Sequence, residues 1–198
     1  MKSTMANLWH PVRGVQIQDL KEKRFLFQFF HAIDMDRVLK GSPWTFNNHL
    51  LILHPLQWGE DPLKIPLIFS PFWVQIHTIP MGFFYENLAR QLRYFLGKFM
   101  EYDNSDLGKG KRNFMRIRVQ WDVRHTLKRK KQVCFLGNCS YVRFKYERMT
   151  LFCFYYGRVG HSDSFCEAKM ALGVEVAVMG KDLSLRAQSK RALAMNSI

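Results

Sequence analysis

The sequence predicts an α+β protein, and three features carry that prediction. Apolar and polar residues alternate with period two over several short stretches, as in half-buried strands. Other stretches place apolar residues at helical spacing. With 47% hydrophobic and 15% aromatic residues in a chain of 198, the core can support one or two domains.

Residues 1–12 read as a helix that stops at His10-Pro11, because proline pushes the residue before it into extended backbone. Beyond Gly14, Val15, Gln16, Ile17 and Gln18 alternate, and residues 24–30 follow a charged turn, so the pair reads as a hairpin. Phe25, Phe27 and Phe29 share one face of its second strand, with Leu26, Gln28 and Phe30 on the other. Lys23, Phe25, Phe27 and Phe30 also half-match the RNP1 pattern of RNA-recognition motifs (RRMs), but Arg24 and Leu26 replace its glycine and small residue. A phenylalanine on a strand is more often core than a stacking platform. Residues 32–40 form a short helix with Asp34 and Asp36 at its positive end, closed by Gly41-Ser42-Pro43. A strand follows at 49–57. The order helix, strand, strand, helix, strand is that of an RRM or ferredoxin-like body lacking its first strand.

Residues 58–71, with three prolines and little periodicity, read as a linker between subunits at about 5–57 and 72–148. The second, smaller α+β unit runs through a strand at 72–79 and a helix at 84–99, with Leu88, Leu92, Phe95, Leu96 and Phe99 on one side. Strands at 100–103 and 113–123 follow, then a pair at 132–136 and 140–148 turned at Gly137-Asn138. Met115, Ile117, Val119 and Trp121 oppose Arg116, Arg118 and Gln120, while Val142, Phe144 and Tyr146 oppose Tyr141, Arg143, Lys145 and Glu147. If those two strands are neighbours, one sheet face carries Arg116, Arg118, Arg143 and Lys145 towards phosphates.

The charge balance points the same way. Thirty Lys and Arg against sixteen Asp and Glu give +14, and a sequence pI near 9.9 is that of a polyanion binder. Residues 109–148 hold thirteen of the basic residues and two acids, so +11 is concentrated there. A charge serving solubility alone would be spread out. Within this region Lys128, Arg129, Lys130 and Lys131 form a basic loop. Such a run is ordinarily solvated, or a nuclear-localisation-like patch; the clustering favours phosphate contact.

After this basic protein's body, residues 149–167 read against the zinc-knuckle pattern C-x2-C-x4-H-x4-C. Cys153, His161 and Cys166 fill three ligand positions, and Tyr156 stands where the second cysteine belongs. Gly157 and Gly160 allow the sharp reversal a short chelating loop needs. A phenol with a pKa of about 10 is a poor substitute for a thiolate, so this is a degenerate CCHC-type knuckle in which zinc ion binding is weak or lost and the loop is mobile. Phe154, Tyr155 and Arg158, between the ligands, suit base stacking and phosphate contact. Three ligands with an open position also describe a catalytic zinc, but a fourteen-residue knuckle builds no walled cavity.

The knuckle together with Val142-Arg143-Phe144-Lys145-Tyr146-Glu147-Arg148 before it resembles plant gag-like proteins of LINE-type retrotransposons. Similar stretches occur at residues 25–30, Gly41-Ser42-Pro43-Trp44, residues 72–77 and Arg116-Ile117-Arg118-Val119. The resemblance spans about residues 5–166. It implies an RRM-like N-terminal domain followed by a CCHC knuckle, with nucleic-acid binding (RNA binding or its DNA equivalent) as the activity. By the same resemblance, the chain starts inside the first helix, and the family's first strand is missing.

Cys134 and Cys139 read as small strand residues beside a turn, with no disulfide. No apolar signal-peptide core is present at the N-terminus, so a reduced nuclear or cytoplasmic setting is expected, and secretion is not. No apolar run approaches the ~18–20 residues of a membrane span. Residues 168–198 read as a tail, partly disordered. No Walker loop, H-E-x-x-H, G-x-S-x-G or deaminase zinc motif occurs, so no enzyme and no small-molecule substrate are expected. The sequence reading is therefore a single-stranded nucleic-acid binder. A self-associating assembly module with an incidental basic surface is the alternative.

Overall fold

The computed structural model describes residues 2–20, 22–79, 88, 91–92, 95–103, 114–135, 137–149, 152–153, 157–160, 166 and 183–187. Over these residues the architecture is mixed α+β, with mostly antiparallel sheets and few helices.

The first 51 residues build one small core. Helix α1 (Lys2–Trp9) ends before His10-Pro11, and strands β1 (Val15–Asp19) and β2 (Phe25–Phe29) form an antiparallel hairpin with Val15 opposite Phe29. Met5 and Trp9 from α1 meet Val38 from α2 (Ala32–Gly41). Phe27 and Phe29 pack their rings 4.9 and 5.8 Å from Trp9. Phe27, part of the RNP1 half-match, is thus a core residue. The chain then forms a second ribbon of β3 (Trp44–Phe46) and β4 (His49–Leu51). The strand expected at 49–57 stops at Leu51, and its partner β3 escaped the sequence reading because Trp44-Thr45-Phe46 is too short to show a period. The two ribbons remain separate, not joined in one RRM-like sheet.

The main core lies on one face of a six-stranded sheet. Its order is β12, β9, β5, β7, β6, with β8 also on β9. These strands are β5 (Phe69–His77), β6 (Lys98–Tyr102), β7 (Phe114–Asp122), β8 (Lys130–Phe135) and β9 (Asn138–Glu147). Two short strands, β10 (Phe152–Cys153) and β11 (Arg158–Val159), pair with each other, and β12 (Arg186–Ala187) joins β9 in parallel. β5 begins at Phe69, so the expected linker ends three residues early; Pro71 is accommodated opposite Gln120. Phe72, Val74 and Ile76 are buried on the core face, and so are Ile117, Val119, Val142 and Phe144, as the alternation of their strands predicted.

Leu88, Gln91, Leu92, Phe95 and Leu96 lie in a helix, and Leu88, Leu92 and Leu96 are buried against this face. That helix ends at Gly97 and does not reach Phe99, which lies in β6. Gly97 has φ +127°, and a Cβ there would come within 2.5 Å of the Gln120 carbonyl oxygen, so only glycine lets the chain turn this close to β7. β8 starts at Lys130, so half of the expected basic loop is strand, and its turn onto β9 falls between Phe135 and Asn138.

Cys134 and Cys139 stand directly opposite in that hairpin and are joined by a disulfide, against the expectation of free thiols. Facing positions bring two Cβ atoms close enough to bridge. Residues 183–187 of the expected tail form a short turn and β12, with Leu185 in the main core. No described helix is long and apolar enough to cross a membrane.

Candidate nucleic-acid interface

The opposite sheet face carries the polar side chains, and register divides it into a closed half and an open half. Arg116, Arg118, Arg143 and Lys145 do share this face. Their fates differ. Arg116 gives Glu147 a two-pronged contact, Nε to Oε1 at 2.9 Å and Nη2 to Oε2 at 2.8 Å, and donates from Nη1 to Asp103 at 2.9 Å. Its guanidinium also lies 3.6 Å from the centre of the Trp73 ring. Burial alone would lower its pKa; the two carboxylates outweigh burial and raise it. Arg118 is 4% exposed, and it donates to Glu101 and to the Leu39 and Ser42 carbonyl oxygens at the end of α2. Both arginines are structural, which corrects the expectation that they contact phosphates. Alternation placed them, and Glu147, on the right face but could not show that Glu101 and Asp103 sit there too, or that Arg116 pairs with Glu147.

In the open half, one row crosses four strands. Lys130 of β8 is opposite Arg143 of β9, Arg143 is opposite His77 of β5, and His77 is opposite Phe114 of β7. At about 4.8 Å between strands, the row is about 14 Å wide. Tyr141 sits two residues along β9 on the same face, 51% exposed, with the Lys130 ammonium 5.0 Å from its ring centre. Lys145 lies two residues the other way, half-buried. Among the described residues no carboxylate pairs with Lys130, Arg143 or Lys145. His77 packs its ring 4.9 Å from Phe114 at 34°. Burial, and then the charge of Lys145, push its pKa down to about 4, so the imidazole is neutral at pH 7. This is a basic surface with flat rings set into it, which is what unpaired bases and their phosphates require.

His77, Phe114 and Tyr141 were not among the sequence candidates. Their signal, an aromatic at an outward strand position, was present, but only pairing register assembles them. The basic run, by contrast, does not act as one strip. Lys128 and Lys131 turn towards Phe95, at 5.5 and 4.7 Å from its ring centre, and Lys131 also donates to the Gln91 carbonyl oxygen. Lys130 alone of the four side chains joins the row by register. Arg129 is exposed, and its carbonyl oxygen accepts from the Phe144 amide.

The knuckle segment docks on the main core. Phe152, Val159 and Met149 are buried there, and the Leu127 amide donates to the Gly157 carbonyl oxygen at 2.9 Å. Gly157 and Gly160 take φ of +69° and +112°, the reversals expected of them, and the Gly157 amide bonds back to the Cys153 carbonyl oxygen at 2.7 Å. Core packing thus holds β10 and β11, which corrects the expectation of a mobile loop for these residues. Cys153 and Cys166 are buried and form no disulfide. Tyr156, His161, Phe154 and Tyr155 lie outside the described residues, whereas Arg158 is exposed in β11. Among the described residues no three metal-binding side chains come together. The donor chemistry still fits Zn2+: two thiolates and an imidazole from Cys153, Cys166 and His161 would hold the ion, which would crosslink the segment.

Comparison with known proteins finds two family matches. Residues 1–64 match a family described as a domain of unknown function (DUF4283), and residues 121–168 match one described as a zinc knuckle. The second match therefore begins in β7 and takes in β8 and β9 as well as the chelating segment. An uncharacterized protein of Arabidopsis thaliana is 29% identical over 137 residues, which are 68% of this chain and 43% of that protein. The chain therefore spans less than half the length of this plant relative. No solved structure matches. A zinc-knuckle match suggests Zn2+ and nucleic-acid binding.

Proposed function

We propose that the chain binds single-stranded nucleic acid on the open half of the main sheet, with the knuckle segment as a second contact. The observation that carries this reading is the row Lys130, Arg143, His77 and Phe114, with Tyr141 beside it. Lys130, Arg143 and Lys145 neutralise phosphates, and Tyr141 and the His77–Phe114 pair stack bases. Lys128, Arg129, Lys131 and Arg158 add charge around the row, and Phe154 and Tyr155 stack from the knuckle. Arg116 and Arg118 hold the sheet and α2 in place.

In this reading the protein is a non-enzymatic, gag-like nucleic-acid binder derived from a plant retrotransposon, working in the nucleus or cytoplasm, with zinc held weakly because of Tyr156. The two family matches and the concentration of charge in residues 109–148 support it. Binding of the purified chain to a random-sequence single strand, followed by fluorescence anisotropy over a range of salt, tests it. Affinity falls log-linearly with salt, and Tyr141→Ala weakens binding about 5- to 100-fold at every salt, the loss of a stacked base. Tight, salt-independent binding, or a Tyr141→Ala variant that binds as the parent does, overturns the assignment to this face.

A further inference from the structure

The first core contains a slot along a strand edge. A cavity of about 440 Å3 runs against β2 and the chain continuing β4. Every residue of Phe25–Phe29 lines it, and so does every residue from 51 to 56. Successive side chains of a strand leave by opposite faces, so a cavity against one face touches alternate residues. One touched by all of them runs along the edge. β2 pairs only with β1, so it turns towards the cavity an edge whose backbone groups no described strand takes up; the facing wall is Leu51 of β4 and residues 52–56, which lie in no described strand. Trp9, Met35 and Val38, from α1 and α2, line the cavity too. Trp9 is 4% exposed, yet among the described residues its indole N–H has no acceptor. Buried donors nearly always have one.

We infer that this slot accepts an extended segment of another polypeptide, which adds a strand to the β2 edge. The β2 edge selects that occupant: it offers amide donors and carbonyl acceptors repeated at strand spacing, a pattern that lipid or a nucleic-acid base does not match but a peptide backbone does. Alternate apolar side chains of the guest would meet Trp9, Met35 and Val38, and a guest carbonyl would accept from the Trp9 indole. The site is in the first core, apart from the row of β5, β7, β8 and β9, and stands independently of the nucleic-acid reading.

The test uses the full chain and a capped nine-residue peptide that alternates valine and threonine, with a lysine at each end. Main-chain pairing supplies the affinity, so a generic alternating sequence serves as the probe. Hydrogen exchange read by NMR is expected to slow at least tenfold in amides of residues 25–29 and 51–53, with a shift of the Trp9 indole proton and no change in β5 or β7. The same peptide N-methylated at alternate residues keeps its side chains but cannot donate along one edge, and it is expected to bind at least tenfold more weakly. Equal binding by the methylated peptide would reduce the slot to a plain apolar pocket and overturn the inference. So would protection appearing at the edges of the main sheet instead, or no protection with millimolar parent peptide.

Discussion

Arg116 and Arg143 face the same side of the same sheet, yet one is a buried structural ion and the other an open one. Their substitutions should separate cleanly. Arg116→Ala leaves Glu147 and Asp103 buried without their counter-charge, which costs about 3 kcal/mol or more of stability in a urea melt. Arg143→Ala leaves the melt unchanged and reduces the slope of log affinity against log salt by about 0.7, the loss of one phosphate contact to a single strand. His77 gives a third residue-level expectation, for pH. The folded protein keeps it neutral down to about pH 4, whereas the unfolded chain protonates it near 6.5. Between those values the unfolded state binds more protons, so stability falls as pH drops through the window. In His77→Gln that part of the acid loss disappears, as a series of melts from pH 7 to 4 would show; an unchanged series would mean that His77 is protonated in the folded state.

At the level of elements, the sequence was legible where a period was long enough to repeat. The alternation of residues 113–123 and 140–148 separated the core face from the opposite face correctly, though Arg118 and Glu147 on that opposite face are buried too, and proline and glycine marked the ends of α1 and α2. Beyond the β1–β2 and β8–β9 hairpins, what could not be read was which strand lies beside which. The three carboxylates that neutralise Arg116 and Arg118 come from β6, the residue after it, and β9, up to 31 residues away in sequence. Cys134 and Cys139 became partners only through the β8–β9 register. The knuckle hairpin shows the same limit. Its glycines announced the turn, but nothing in the spacing announced that Phe152 and Val159 enter the main core. That docking changes what zinc is expected to do. Tyr156→Cys completes the four-ligand set and raises zinc affinity by orders of magnitude in competition with a chromophoric chelator, while the thermal stability of the metal-free chain changes little because packing already holds β10 and β11. Equal, tight zinc affinity in the parent would mean that another side chain supplies the fourth ligand.

For the molecule as a whole, the two cores are coupled where α2 ends. The last carbonyls of a helix lack partners within it and form the negative end of its dipole. Here guanidinium groups from the main sheet meet that end: Arg118 Nη2 donates to the Leu39 and Ser42 oxygens at 3.0 and 3.2 Å, and Arg148 Nη1 donates to the Gly41 oxygen at 2.7 Å. Hydrogen bonds from a charged donor contribute about 1.5–3 kcal/mol each when sheltered, more than so small a core can readily lose. Arg118 is sheltered and Arg148 exposed, so most of the coupling rests on Arg118. Arg118→Met keeps the length of the side chain and removes the donors, and its freed partner Glu101 is half-exposed and stays hydrated. In this variant residues 2–51 should unfold at lower urea than the main sheet, so that amide exchange in β2 and in β5 reports two midpoints where the parent reports one. The open row on the far half of the face keeps its charges, so the salt dependence of single-strand binding should match the parent. A single shared midpoint in Arg118→Met would show that the cores are joined by other contacts, Leu50 against the main core being the first to examine; a flatter salt slope would return Arg118 to the binding surface.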